Sequence, residues 1–133
     1  MLAAIGNAIK ARLEGLGTFK VVERGFSKRA LQSPPSAVFY LYSDESVTDD
    51  PESARKLTYE IALLVSYLDP EKGQVAMDEL IDAVRPAFTR WEPVEKGSEE
   101  ASIPRIRWEG VEDSLLIYSA RVTLDVYPLT IDT

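Results

Sequence analysis

Apolar residues recur at spacings of three and four along the start of the chain: Leu2, Ile5, Ile9, Leu13 and Leu16. That repeat marks one face of a helix and predicts about four helical turns. Gly15 and Gly17 supply the stop signal. Phe19 to Arg24 is rich in β-branched residues and predicts a short strand ending at Gly25.

Ser33-Pro34-Pro35-Ser36 reads as a rigid turn into Ala37 to Tyr42, a run with strand chemistry that is apolar on both faces. From Ser43 to Glu52 the character changes, with Asp44, Glu45, Asp49, Asp50 and Glu52, Pro51, and no basic residue. This predicts a solvated, mobile loop. Arg55 to Leu68 then reads as a long strand with Tyr59, Ile61, Leu63 and Val65 along one face.

Asp69 to Gly73 predicts a turn into a second amphipathic helix, with Val75, Met77, Leu80, Ile81, Val84 and Phe88 facing inward. Pro86 marks or bends its last turn. Glu92 to Ser102 is polar and predicts an exposed loop. Ile103 to Trp108 is a strand candidate, followed by a turn around Glu109 to Asp113. Leu115 to Tyr127 has the cleanest period of two: Leu116, Tyr118, Ala120, Val122, Leu124 and Val126 alternate with Ile117, Arg121, Thr123 and Asp125. Pro128 to Thr133 reads as a frayed tail.

The predicted order is α-β-β-β-α-β-β. It implies an α+β fold: a two-layer sandwich with a mostly antiparallel sheet and two helices on one face. Residues 1–133 are one domain, since a chain of 133 residues suits one core. The other sheet face must meet solvent or a partner. Because Val38, Tyr40 and Tyr42 back onto Phe39 and Leu41, neither side of that strand is polar, which suggests an association surface.

Composition narrows the chemistry. With no cysteine, folding does not depend on redox state, and synthesis in a reducing cytoplasm is expected. Lys10, Arg12 and Glu14 interrupt the first apolar segment too early for a secretory signal, and no apolar run approaches a membrane span. Fifteen basic against 22 acidic residues give a net charge of −7, which argues against specific nucleic-acid binding.

Histidine is also absent, so the common hydrolytic triads and histidine metal sites cannot be built. No glycine-rich phosphate loop is present. Asp44, Glu45, Asp49 and Asp50 are the best carboxylate group, but they lack the spacing of a calcium loop and read as solvated. Asp125 lies in a strand and is expected to pair with an arginine across the sheet rather than to act as a catalytic acid. Arg105 and Arg107 alternate with Ile106 and Trp108, a pattern open to base stacking or to arginine stems covering an exposed face. Trp91 reads as a lid on the core.

The N-terminal helix, the strand Ser36 to Leu41 entering an acidic loop, the strand Leu57 to Val65, the helix Met77 to Val84 and the strand Ser119 to Leu124 together resemble the phage tail-terminator and tail-completion (minor-tail) family, in its lambda-type and Mu-like prophage forms. The resemblance implies a structural subunit in a hexameric ring that caps the tail tube and meets the head connector. It also implies no catalytic residue, cofactor or metal, assembly in the bacterial cytoplasm, and a final place in the virion tail. Under it, Asp44, Glu45, Asp49, Asp50, Phe39, Leu41, Arg105, Arg107 and Trp108 are candidate interface or channel residues. Two other classes stay open: a small-molecule-binding domain with an apolar pocket between sheet and helices, and a carboxylate-dependent hydrolase needing a divalent cation.

Overall fold

The computed structural model describes residues 2–25, 28–46, 55–93, 100–112 and 117–128. Its elements are α1 (Leu2–Gly15), β1 (Val21–Arg24), α2 (Lys28–Gln32), β2 (Ser36–Ser46), β3 (Arg55–Ser66), α3 (Pro70–Phe88), β4 (Ser102–Glu112) and β5 (Ile117–Val126). The strands form one sheet in the order β1-β2-β3-β5-β4. β1 runs parallel to β2, and every other pair is antiparallel. The fold is an α+β sandwich.

Strand alternation sorts the residues between two faces. Phe39 on β2, Tyr59, Ile61 and Leu63 on β3, and Ala120, Val122 and Leu124 on β5 are fully buried. They meet Ile5, Ile9 and Leu13 of α1 and Met77, Val84 and Phe88 of α3 in the main core. Each fully buried Val, Leu, Ile, Phe or Met side chain among them contributes roughly 1.5–3 kcal/mol by leaving water, so this layer dominates stability.

α3 starts where its sequence dictates. Asp69 caps it by accepting a hydrogen bond from the Glu71 N–H at 2.9 Å, and Pro70 occupies the first turn, where its missing N–H costs nothing. Pro86 lies in the last turn, and beyond it the Thr89 N–H and hydroxyl both donate to the Arg85 carbonyl, at 3.0 and 2.7 Å. Val75, expected to face inward, is half exposed. Gly73 takes the inner position instead, since it lies one turn before Met77 whereas Val75 points roughly 200° away from Gly73.

Helix α2 corrects the two-helix expectation. Its five residues fall on the opposite face, where Ala30 and Leu31 pack against Val21, Val38, Leu64 and Ile117 in a second, smaller core. Ser36 ties the segment down by donating to the Ala30 carbonyl at 2.6 Å. Such a short helix leaves almost no periodicity to read. The outward apolar side chains of β2 are thus partly covered by the chain itself.

Strand limits differ too. Ser43 to Ser46, expected in a loop, continue β2 and pair with Thr58 to Arg55. The acids of one strand meet the bases of the other, so cross-strand charge pairing offsets low strand propensity: Asp44 lies 2.6 Å from Arg55 Nε, and Glu45 is opposite Lys56. β4 likewise runs through Glu112, where a turn was expected from Glu109.

Candidate assembly surfaces

Phe39 and Leu41, candidate interface residues by sequence, point the other way. Phe39 is fully buried and Leu41 packs partly buried against the main core. On this strand the alternation carries no polar marker of orientation, and only the helices decide which side becomes core. Asp44 and Glu45 are exposed on the arm that β2 makes with β3. Asp49 and Asp50 lie outside the described residues.

The outer sheet face carries a ladder of polar side chains rather than an apolar wall. Thr58 donates to Asp125 at 2.9 Å, and Thr123 donates to Glu60 at 3.1 Å. All four residues are buried. Asp125 was expected to pair with an arginine, but the strand register places Thr58 directly opposite it.

Arg121 stands further along the same face. Its Nη1 donates to the Tyr40 hydroxyl at 2.8 Å, and its Nε lies 3.2 Å from Glu109 Oε1 without hydrogen-bond alignment. Arg107 is directly across the strands from Arg121 and donates to that same Glu109 oxygen at 3.3 Å. Two like charges facing each other would repel, and Glu109 offsets this. Arg121 is the more withdrawn of the two, with 31% of its side chain exposed against 52% for Arg107, and Arg105 is exposed further along β4.

β4 is an edge strand, and it carries features that discourage strand addition. Pro104 has no N–H to offer, and the pairing with β5 is irregular between Ser102 and Arg105 and again between Trp108 and Gly110. Trp108 is 44% exposed, whereas Trp91 rests on the core, edge-to-face with Phe88 at 5.0 Å.

A groove lies beside α3. One hollow of about 500 Å³ runs from Pro34 and Pro35 past Tyr67 to Ala76 and Glu79. A second of about 440 Å³ continues over Tyr67, Ala76 and Glu79 to Val75 and Glu71. Leu68 is 85% exposed at the turn before α3. Sequence reading missed this surface because Tyr67, Leu68 and Val75 looked like ends of buried elements.

Among the described residues, no three carboxylates converge in a way that could hold a metal. No helix among them is long and apolar enough to cross a membrane.

No family model matches the sequence, and no curated protein matches it. The fold is similar to that of a chain in a solved structure, the virion of a native gene transfer agent particle. The two share 12% sequence identity with a TM-score of 0.57, over 97% of this chain and 94% of that one. At that identity the likeness establishes a common fold.

Proposed function

We propose that this chain is a structural subunit of a phage-like virion, a tail terminator that caps the tail tube and joins it to the head connector. The observation that carries the reading is the fold likeness to a virion chain over nearly the full length of both chains. The order of strands and helices that first suggested the tail-terminator family is consistent with it. The subunit works as a closed ring, a hexamer, and performs no catalysis.

The charge fits such a role. At −7 per subunit, a ring repels phosphates and lets DNA pass without gripping it. The subunit is made in the bacterial cytoplasm and ends in the virion tail.

Deleting the gene in a particle-producing host tests this. Electron microscopy should show heads and tails that fail to join, with tubes of uncontrolled length, and adding purified protein should restore joined particles. Normal particles from the deletion, or purified particles that lack the chain by mass spectrometry, would overturn the proposal.

A further inference from the structure

We propose that copies of this chain meet head-to-tail, with the outward stripe of α3 on one copy, centred on Val75, laid across the outer sheet face of the next. The inference rests on the ring reading above and names the surfaces that build it.

The outer face holds a pit of about 160 Å³. It opens over Ala62, whose methyl group leaves a gap between Val38 and Arg121, its neighbours on β2 and β5. Leu31 of α2, Tyr40 and Leu64 help to wall it. A cavity of roughly 150 Å³ accepts a benzene ring, so this pit has room for a branched aliphatic side chain.

Cations stand beside it. Arg121 lines the pit, Arg107 is directly across from Arg121 on β4, and Arg105 is exposed further along that strand. Glu109 is the one exposed carboxylate among them, and Arg107 and Arg121 share it. Glu60 and Asp125 are buried on this face, each with a threonine donor. A carboxylate arriving from outside therefore meets guanidinium groups first.

The outward side of α3 has the complementary character. Glu71, Val75, Asp78 and Asp82 follow one another at spacings of three and four, and all are exposed. They lie on the side away from the buried Met77, Leu80 and Val84. Val75, 50% exposed, is the apolar member of a stripe of carboxylates.

The spacings agree as well. The register sets Ala62, Arg121 and Arg107 side by side on β3, β5 and β4. Neighbouring strands lie about 4.8 Å apart, which puts the two arginines about 5 and 10 Å from the pit. A helix rises about 1.5 Å per residue, which puts Asp78 and Asp82 about 4.5 and 10.5 Å along from Val75. With Val75 over the pit and α3 crossing the strands, each carboxylate meets an arginine.

The two surfaces belong to opposite layers of the sandwich. α3 packs on the main core, and the pit opens on the other side of the sheet. One copy cannot turn both toward the same partner, so the contact is heterologous and can repeat around a ring. The paired groups act at contact, whereas repulsion between whole subunits acts over longer distances, so net charge still sets the first response to added salt.

The chain has no cysteine, so single thiols report the contact cleanly. Val75→Cys and Ala62→Cys variants, mixed under mild oxidation at high protein concentration, should give disulfide-linked dimers. Either variant alone should give few, and a chain carrying both substitutions should form a ladder of linked copies. Asp82→Arg should raise the concentration needed for association by about tenfold or more, even though it lowers the net negative charge. Arg107→Asp should do the same, and a chain carrying both exchanges should recover association, with circular dichroism unchanged throughout.

Rings of the unmodified chain in light scattering, combined with no cross-link in the mixture, would overturn this contact and leave the ring reading standing. Asp82→Arg associating as well as the parent would also overturn it. So would Val75→Cys linking to itself as readily as to Ala62→Cys, since that reports a two-fold contact. A chain that stays monomeric at high concentration, with and without tail tubes, would overturn both.

Discussion

The ring of Tyr118 fills the space in which a Cβ on Gly73 would lie, with its Cε2 atom 2.6 Å from that position. α3 therefore sits closer to β5 than any other residue at position 73 allows. Gly73→Ala gains about 1 kcal/mol in helix propensity but forces a buried aromatic ring to move, an overpacking cost of about 1–3 kcal/mol. The expected net result is destabilisation. Denaturant melts should show it, and in a Tyr118→Leu background the same substitution should become neutral or stabilising.

Tyr59 is fully buried, and its hydroxyl has no hydrogen-bond partner among the described residues. Tyr59→Phe removes an unsatisfied polar group whose burial costs about 1–3 kcal/mol, so the variant should be at least as stable as the parent. Burial raises the Tyr59 pKa above 10.0; Arg24 partly opposes this shift and Asp44 adds to it. The folded state then holds its proton more tightly than the unfolded state. This contribution is complete below pH 10 and declines as pH rises through the folded pKa. Melting curves above that pH should fall less steeply for Tyr59→Phe than for the parent.

The buried carboxylates of the outer face depend on threonine donors. Thr123→Val removes the donor to Glu60, and Thr58→Val removes the donor to Asp125. Valine keeps the shape, so the loss isolates the hydrogen bond, and each variant should lose about 1–3 kcal/mol in urea unfolding. Losses near zero would mean that these acids do not rely on the ladder.

Arg12 joins α1 to the end of α3. Its Nε donates to the Ala87 carbonyl at 2.9 Å, and its guanidinium lies 5.7 Å from the Trp91 ring centre. Arg12→Lys retains the charge but loses the planar group that does both jobs. A loss of about 1 kcal/mol is expected, together with a change in Trp91 fluorescence. An unchanged melting temperature would refute that role.

Charge opposes the proposed ring, since every subunit carries −7. Salt shortens the reach of that repulsion to a Debye length of about 8–10 Å at 0.1–0.15 M. Association measured by light scattering should therefore strengthen as salt is first added. Weakening from the first addition would mean that attractive ion pairs outweigh net repulsion.

The sequence by itself determined the layers. Leu2 to Leu16 and Met77 to Phe88 repeat with a helical period, and Tyr59 to Val65 and Tyr118 to Val126 alternate as strands. Each pattern fixes a buried face locally, because backbone geometry sets the period. Tertiary structure decided what local pattern could not. β2 is apolar on both sides, so only the packing of α1 and α3 made Phe39 and Leu41 core, while the short α2 covered Val38 from behind. Asp44 and Glu45 became strand because β3 brought Lys56 opposite Glu45 and Arg55 diagonally within 2.6 Å of Asp44. Asp125 found Thr58 instead of an arginine because register, a property of two strands together, chose its neighbour. The groove beside α3 arose in the same way, from chain segments far apart in sequence whose meeting no local pattern records.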